Sequence, residues 1–420
     1  MSDQIRFFLN RIRERLWVKP VVICVLSVLA AFIARIADLI DLLGVVPDIS
    51  FDSIESLLTI LSAGMLGVAV FAVGSMISAY ASASSTATPR SFPLVIADDV
   101  SQNALSSFIG AFIYSIVALI ALKNDYYEKA GRFVLFLVTL FVFVIVILSF
   151  IRWIDRIARL GRLGHTIDRV EEAAADALRR RAKAPTLGAK TARGAPDGIP
   201  VYADQIGYVQ RVDVPRLQTL AESSGLHITV ASLPGTFSTP DKPLAYIIGE
   251  RSGTEREIDP HTISEAFVIG KDRVFVDDPR FGLVTLSEIA SRALSAAVND
   301  PGTAIEIIGS LVRLFALWDE EHRQPEELKV ELDRVAVPEI SLNDMFDDAF
   351  NALSRDGAGT IEVVIRLQRA FNTLASLGDV EMKEASRRHA RLAYRYAEQS
   401  LQLPEEIEAL EAVYRSGEMG

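Results

Sequence analysis

The sequence LLTILSAGMLGVAVFAVGSMISAY, residues 57–80, decides the fold of this 420-residue chain. Between Glu55 and Arg90 the phenol of Tyr80 is the only ionisable group, and the quoted stretch is mostly apolar. A helix needs about 20 such residues to cross the hydrocarbon core of a bilayer. A helix of a soluble core rarely stays apolar on all sides for so long. The segment therefore predicts a membrane-spanning helix.

Three further apolar segments have similar lengths. Two of them carry no charge, whereas the first in the chain contains Arg35, Asp38 and Asp41. Together the four predict a polytopic α-helical membrane protein whose transmembrane domain covers residues 21–151. The predicted spans are 21–43, 57–80, 104–122 and 133–151.

Composition agrees with a membrane domain joined to a polar one. Half of the residues are hydrophobic and 23% are charged, with a net charge of −11 and a mean hydropathy of +0.27. The acidic balance argues against a nucleic-acid partner, which would need a basic face. The single cysteine, Cys24, excludes a disulfide framework and paired-cysteine zinc sites. We expect no cofactor and no metal.

The distribution of lysine and arginine predicts the orientation of the spans. Basic residues are frequent in the N-terminal segment 1–20 and directly after the fourth span, whereas the loop between the first two spans has none. The positive-inside rule then places both termini in the cytoplasm of a bacterial cell, with the spans in the inner membrane. Three basic residues in the 123–132 loop oppose this orientation, but Asp125 and Glu128 interrupt them. No cleavable signal peptide is apparent.

Acidic residues accumulate near the predicted outer surface. Arg35, Asp38 and Asp41 recur at three-residue steps, so they form either an ion or proton relay or an interfacial group in which Arg35 reaches water. The outer loop adds Asp48, Asp52 and Glu55. These three are either simply solvated or, in a ring of subunits, form a vestibule that concentrates inorganic cations.

The second span differs from the bulky fourth span because it is rich in glycine, alanine and serine. Small residues let helix backbones approach closely, so this composition predicts either packing within one subunit or the lining of a pore in an oligomer. The candidate pore-lining residues are Thr59, Ser62, Gly67, Ser75 and Ser78.

The polar half divides into three predicted regions. Residues 152–200 contain an amphipathic helix, which either prolongs the fourth span as a stalk or lies on the lipid surface, and then a linker rich in proline and glycine. Alternating strand patterns predict a small cytoplasmic α/β domain over 201–260. Helical periodicity predicts a cytoplasmic helical domain over 261–420.

The densest polar cluster of the sequence lies in the last region. Its carboxylates suit a hard cation, and the helix start after Pro301 suits an anion. The alternative is structural, with Asp300 as a helix cap, a turn at Asp278-Pro279, and carboxylates paired with arginines. The cluster consists of Asp277, Asp278, Arg280, Asn299, Asp300 and Thr303.

Three stretches resemble the prokaryotic membrane proteins grouped as domain of unknown function 2254. The first is Arg15-Leu16-Trp17 with Pro20, and the second runs from Pro89-Arg90 through Asp98 and Gln102 to Phe112-Ile113-Tyr114. The most specific is FVIGKDRVFVDDPRFGLVTLSEIASRALSAAVNDPGTA, residues 267–304, in which Ala296 replaces the family's usual proline. The resemblance implies four spans, a cytoplasmic domain and a bacterial inner membrane, and it implies no activity.

The sequence contains none of the common catalytic signatures. The motifs G-x-S-x-G, H-E-x-x-H, GxxxxGK[ST] and CxxC are absent, and the five histidines lack metal-ligand spacing. We therefore expect no enzyme. Two hypotheses remain. One is a homo-oligomeric ion channel or channel-like conduit with a cytoplasmic regulatory domain. The other is a membrane-anchored sensor or scaffold whose cytoplasmic domain binds a ligand or a protein.

Overall fold

The computed structural model describes residues 18–39, 47–96, 99–159, 161–194, 198–249, 259–323 and 331–418. Most of the predicted N-terminal segment 1–20, and Asp41, lie outside these ranges. The chain divides into two compact units, unit 1 (Met1–Thr166) and unit 2 (Ile167–Gly420).

Unit 1 contains four long apolar helices, as the sequence predicts. They are α1 (Val18–Leu39), α2 (Phe51–Thr86), α4 (Asp99–Lys123) and α5 (Lys129–Ile157), with the short α3 (Phe92–Ile96) before α4. Each of the four is long and apolar enough to cross a membrane. The 36 residues of α2 extend about 54 Å, well beyond the roughly 30 Å of a hydrocarbon core.

Helix α4 is the central element of unit 1, because it packs against α1, α2 and α5. Its approach to α1 depends on Gly110, where an added Cβ would overlap the side chain of Ile23. Towards α5, the buried hydroxyl of Tyr114 lies 3.0 Å from that of Thr139. The space between the four helices is thus filled by side chains, as expected for a membrane bundle with small residues at its contacts.

The amphipathic segment after the fourth span is a separate helix, α6 (Leu163–Lys183). Helix α5 ends at Ile157, and Gly161 has a φ of +85°, a conformation that glycine adopts without strain. Helices α5 and α6 are therefore separate, and α6 does not prolong α5 as one continuous helical stalk. The apolar residues of α6 in unit 2, including Val170, Ala174 and Leu178, are fully buried in protein, so they are not available to a lipid surface.

Unit 2 contains two small sheets besides α6. One has five strands in the order β1-β8-β4-β6-β2, with β8 parallel to β1 and β4 and the other pairs antiparallel; the other has the order β5-β3-β7 and is antiparallel. Helices α7 (Val214–Ser224) and α8 (Pro260–Ser264) lie between strands in the chain. The strands are β1 (Ala189–Thr191), β2 (Ile199–Tyr202), β3 (Gly207–Val212), β4 (Leu226–Val230), β5 (Phe237–Ser238), β6 (Pro243–Gly249), β7 (Phe267–Gly270) and β8 (Leu332–Val337).

The remainder of unit 2 is helical. Its helices are α9 (Pro279–Ala293), α10 (Pro301–Arg323), α11 (Leu342–Asp356), α12 (Ile361–Leu377), α13 (Val380–Ser400) and α14 (Pro404–Glu418). Phe315 of α10 packs against Phe346 and Phe350 of α11, with ring centres 4.3 and 5.6 Å apart. This aromatic cluster forms the centre of the helical core.

Three strands lie where the sequence predicts none. Strand β1 falls inside the predicted linker, and β7 and β8 fall inside the region predicted to be helical, so the sheets extend beyond the predicted 201–260. The cause is long-range pairing: β8 joins β1 and β4, which are more than 100 residues away in the chain. The residues next to a strand in the sequence do not indicate which distant strand it pairs with.

Helix α10 also has the length and composition of a span, in addition to the four that the sequence predicts. However, it carries Glu306 and Arg313, and its apolar residues are buried within unit 2. Arg313 forms a bidentate ion pair with Glu171, with nitrogen–oxygen distances of 2.6 and 2.7 Å. These contacts fit a helix of a polar domain better than a helix surrounded by lipid.

Candidate functional site

Helix α2 has one side buried in unit 1 and a broad side exposed. The buried residues recur at three- and four-residue steps along the helix, among them Leu58, Leu61, Ala72, Met76 and Ala83. Because this spacing follows one helical face, the residues between them point away from the other described helices. The exposed side has two different halves.

The first half, here called the bulky face, consists of Leu66, Val70, Val73 and Ile77. These residues follow each other at steps of four, three and four, and all four are exposed. Large apolar side chains at membrane depth suit contact with lipid tails.

The second half, here called the small face, consists of Gly64, Gly67, Gly74, Ser75 and Ser78. An added Cβ at any of the three glycines would meet no atom within 4 Å. Phe71, which is 65% exposed, is the large residue that interrupts this face. A groove of about 540 Å³ runs along its second part, lined by Phe71, Gly74, Ser75, Ser78, Ala79, Ser82 and Ile157.

The predicted pore-lining residues fall on both halves. Gly67, Ser75 and Ser78 belong to the small face. Thr59 lies two turns before Leu66, and Ser62 one turn before it, so both belong on the side of the bulky face. The hydroxyl of Ser62 donates a hydrogen bond to the backbone oxygen of Thr59 at 3.0 Å. The five residues therefore do not share one surface.

The hydroxyls of Ser75 and Ser78 have no hydrogen-bond partner among the residues that the structure describes. Both lie within the apolar length of α2, where lipid offers neither donors nor acceptors. They can be satisfied by rotation onto a backbone oxygen one turn earlier, as the Ser115 hydroxyl is on Ala111, by a neighbouring subunit, or by water.

Arg35 and Asp38 fasten α1 to the loop that precedes α5. The Asp38 carboxylate, almost completely buried, accepts hydrogen bonds from the backbone N–H groups of Glu128 at 3.0 Å and Gly131 at 2.6 Å. Arg35 donates to the backbone oxygen of Tyr126 at 3.0 Å and lies 3.5 Å from Asp38. These contacts give both charges a structural role.

The outer acidic residues differ in their surroundings. Glu55 forms an ion pair with Lys123 at 2.7 Å, which joins the beginning of α2 to the end of α4. Asp48 and Asp52 are exposed. Gly131, where an added Cβ would overlap the Asp38 carboxylate, is a further residue of this contact that the sequence pattern does not predict; its position in the first turn of a span is the available signal.

The polar cluster predicted in unit 2 is in fact two groups at opposite ends of α9. The first group, Asp277, Asp278 and Arg280, lies at the beginning of this helix. The second, Asn299, Asp300 and Thr303, follows its end, where the Asp300 N–H donates to the backbone oxygen of Ala293. The 15 residues of α9 separate the groups by about 22 Å, so they cannot form one site.

The first group is held by arginines. Asp278 is buried, accepts two hydrogen bonds from Arg273 at 2.6 and 3.0 Å, and caps α9 through the N–H groups of Arg280 and Phe281. Burial raises the pKa of Asp278, and the Arg273 guanidinium acts against that rise. Burial also lowers the pKa of the neighbouring Arg181 to about 10.

Three other members of the cluster, Arg280, Asp300 and Thr303, have structural contacts. Arg280 pairs with Asp348 at 2.6 Å and with Asp344 at 2.9 Å. Asp300 accepts hydrogen bonds from the Thr303 hydroxyl at 2.6 Å and from its N–H at 3.1 Å, at the beginning of α10. Asn299 adopts a φ of +50°, which asparagine tolerates better than most residues. Among the described residues, no group of three histidine, cysteine or acidic side chains has the arrangement of a metal site.

Comparison with known proteins identifies a family. The model of the family described as "Predicted membrane protein (DUF2254)" matches residues 13–373, and the chain belongs to this family. Uncharacterized proteins from Mycobacterium bovis and Mycobacterium tuberculosis are 34% identical to it over 117 residues. The match covers 27% of this chain and 22% of each relative, so the chain spans only a small part of their length. No solved structure matches.

Proposed function

We propose that this DUF2254 protein, a multi-pass membrane protein, assembles into a homo-oligomer that forms a channel-like conduit for inorganic cations, with unit 2 as its cytoplasmic regulatory domain. The observation that supports this proposal is the small face of α2, which is open in the single subunit.

A conduit through one subunit is not favoured, because α4 fills the space between the other three long helices. Tyr114, Phe108 and Leu135 are fully buried there. A path across the membrane would then lie between subunits, which requires a ring of copies around an axis.

The small face suits such an interface or pore wall. Glycine and serine allow close helix contact, and the open hydroxyls of Ser75 and Ser78 suit a hydrogen bond across subunits or a water-filled path. Lipid contact is left to the bulky face and to α5, whose Phe141 and Leu148 are exposed.

The beginning of α2 supports a preference for cations. Asp48 and Asp52 are exposed next to the beginning of this helix. In a ring they would repeat around the axis and concentrate cations at one mouth. We expect the double replacement Asp48→Asn and Asp52→Asn to lower the cation-to-anion permeability ratio of reconstituted protein.

We place the protein in a bacterial inner membrane with both termini in the cytoplasm. The supporting observation is the basic sequence before the first span and after the fourth. Asp48 and Asp52 would then face outward.

The alternative is a membrane anchor for a sensory or scaffolding domain. It is supported by the separate hydrophobic core that unit 2 builds around its five-stranded sheet, with Val201, Ile228, Leu244 and Val335 fully buried. This alternative needs no ring and no ion flux.

Cysteine cross-linking within native membranes separates the two hypotheses. In a Cys24→Ser background, Ser78→Cys tests the small face and Val73→Cys the bulky face of the same helix. The conduit predicts disulfide-linked dimers for Ser78→Cys and far fewer for Val73→Cys. Equal, negligible cross-linking at both positions would favour the anchor.

Ion flux into vesicles gives the functional test. We expect the purified protein to release a cation gradient, and Gly74→Trp to reduce the flux because the indole would fill the groove and separate the subunits that meet at the small face. Val73→Trp, on the bulky face, is the matched control and should leave the flux near the unaltered level. Absence of flux from the unaltered protein would contradict the conduit.

A further inference from the structure

We propose that unit 2 contains a binding site for a small organic anion, whose phosphate or carboxylate group is held by Arg387 and Arg391. The site is a cavity of about 290 Å³ between α12, α13 and α14, which none of the functional assignments above uses. The inference does not depend on the proposed conduit.

Two arginines stand at the mouth of this cavity. Arg387 and Arg391 lie one turn apart on α13, line the cavity and are exposed. Neither makes a hydrogen bond or ion pair with any residue of the described ranges. Residues four apart on a helix lie on the same face, so both guanidinium groups can reach one anion. Arginine holds phosphate and carboxylate through paired hydrogen bonds.

The neighbouring basic residues show a contrast. On the same helix, Arg388 is paired with Asp347 at 2.6 Å, and on α14 Arg415 is paired with Glu411. These positive charges are therefore already balanced. Among the described residues, the two arginines at the cavity have no such partner, which suits a negatively charged ligand.

The inner wall of the cavity supplies further polar groups. Ser386 lines it, and the buried hydroxyl of this residue has no hydrogen-bond partner within the described part of the chain. A buried hydroxyl without a partner is costly, and a ligand oxygen would remove that cost. Asn372 lines the cavity as well; its Nδ2 donates to the backbone oxygen of Val413 at 3.3 Å, and its Oδ1 lies against Gly417.

The rest of the wall is apolar or aromatic. Phe371 and Ala390 form buried parts of it, and Tyr414, which stacks on Tyr394 with ring centres 4.7 Å apart, lies on the α14 side. A pocket of this size, near the lower end of the usual range of about 300–1,000 Å³, suits a small ligand with an apolar body. The ligand class is therefore an aromatic or aliphatic phosphate or carboxylate, supplied either by a soluble metabolite or by a lipid headgroup.

The experiment measures binding of phenyl phosphate to the full-length protein in detergent by isothermal titration calorimetry. We expect saturable binding that becomes about tenfold to a hundredfold weaker in Arg387→Gln and in Arg391→Gln, because each loses a charge-assisted hydrogen bond. The matched control is Arg395→Gln, one turn further along α13, exposed and not part of the cavity wall. It should bind like the unaltered protein.

Two further arms complete the test. Ser386→Ala should weaken binding several-fold while the protein stays folded. A short-chain phosphatidic acid identifies the source of the ligand: tighter binding than phenyl phosphate, with the same dependence on Arg387, indicates a lipid headgroup, and weaker binding indicates a soluble ligand. The proposal is overturned if neither probe binds saturably at millimolar concentration, or if Arg387→Gln and Arg391→Gln bind as tightly as Arg395→Gln.

Discussion

Asp38 caps a helix to which it does not belong. Helix α5 begins after Glu128, whose own side chain makes no capping hydrogen bond, and the carboxylate of Asp38 from α1 accepts the N–H groups at that helix end instead. A negative charge is also favourable at the positive end of a helix. The charge in the first span is thus part of how the bundle is fastened.

We expect Asp38→Ala to destabilise unit 1 by about 1–3 kcal/mol, since two backbone N–H groups, one of them on the buried Gly131, lose their partner. Thermal denaturation of the detergent-solubilised protein measures this. Asp48→Ala, at an exposed position, is the control and should change stability by less than about 0.5 kcal/mol. If Asp38→Ala is as stable as the unaltered protein but abolishes ion flux, the relay hypothesis gains and the structural role is wrong.

The helix cap at Asp300 predicts that the stability of the folded protein depends on pH. Hydrogen bonds from Thr303 hold the pKa of Asp300 below its ordinary value, so its carboxylate stabilises the folded state. This contribution is present above the unfolded pKa of about 3.9 and is lost as the pH falls through and below that value.

Asparagine caps helices about as well as aspartate but does not titrate. The melting temperature of the unaltered protein minus that of Asp300→Asn should therefore decrease as the pH falls from 6 to about 3. A constant difference across this range would show that the carboxylate of Asp300 does not contribute.

The contacts of a residue can be predicted from the sequence only when its partners are nearby in the chain. The cap at Asp300 could be predicted, because its partner Thr303 is three residues away. The contacts of Asp38 could not, because Glu128 and Gly131 are about 90 residues distant. Similarly, the partners of Arg280 on α11 are outside the reach of any local pattern.

At the scale of elements, the spans could be predicted because each is long and apolar, although the first also carries charged residues near one end. Helix α2 also illustrates the limit. Its small residues were recognisable, but which of them face outward depends on where α4 and α5 pack, and only the structure separates Thr59 and Ser62 from Ser78. Strands β1 and β8 could not be predicted, since each is stabilised by a partner far away in the sequence.

Helix α10 supplies a prediction at this scale. Phe315 is fully buried between α10 and α11, so Phe315→Ala should destabilise unit 2 by about 3–5 kcal/mol. Phe141→Ala in α5, where the ring is 66% exposed, is the matched control and should cost far less. Unfolding followed by tryptophan fluorescence compares the two variants. A small effect at Phe315 would support the membrane-span alternative for α10.

At the scale of the whole molecule, the orientation can be tested independently of oligomerisation. In a Cys24→Ser background, a membrane-impermeant maleimide applied to intact spheroplasts should label Asp52→Cys. It should label Asp241→Cys, in an exposed turn of unit 2, only after the membrane is opened. The reverse pattern would contradict the positive-inside assignment.

The two units differ in composition. This difference explains why the sequence predicts a membrane location more readily than it predicts an activity. Long apolar segments indicate a membrane protein from the sequence alone. The small face and the arginine-lined cavity can be recognised only when the residues packed around them are known. Residues that bind a ligand in such a domain need not form a recognisable sequence motif.

The native mass of the purified particle tests the central claim most directly. A subunit weighs 46.1 kDa, and a conduit between subunits requires several of them around an axis. We therefore predict a mass, corrected for bound detergent, that is a multiple of at least three subunits, and dissociation of the particle when Gly74 is replaced by tryptophan. A single 46.1 kDa species under mild detergent, with the same fold and stability, would contradict the account.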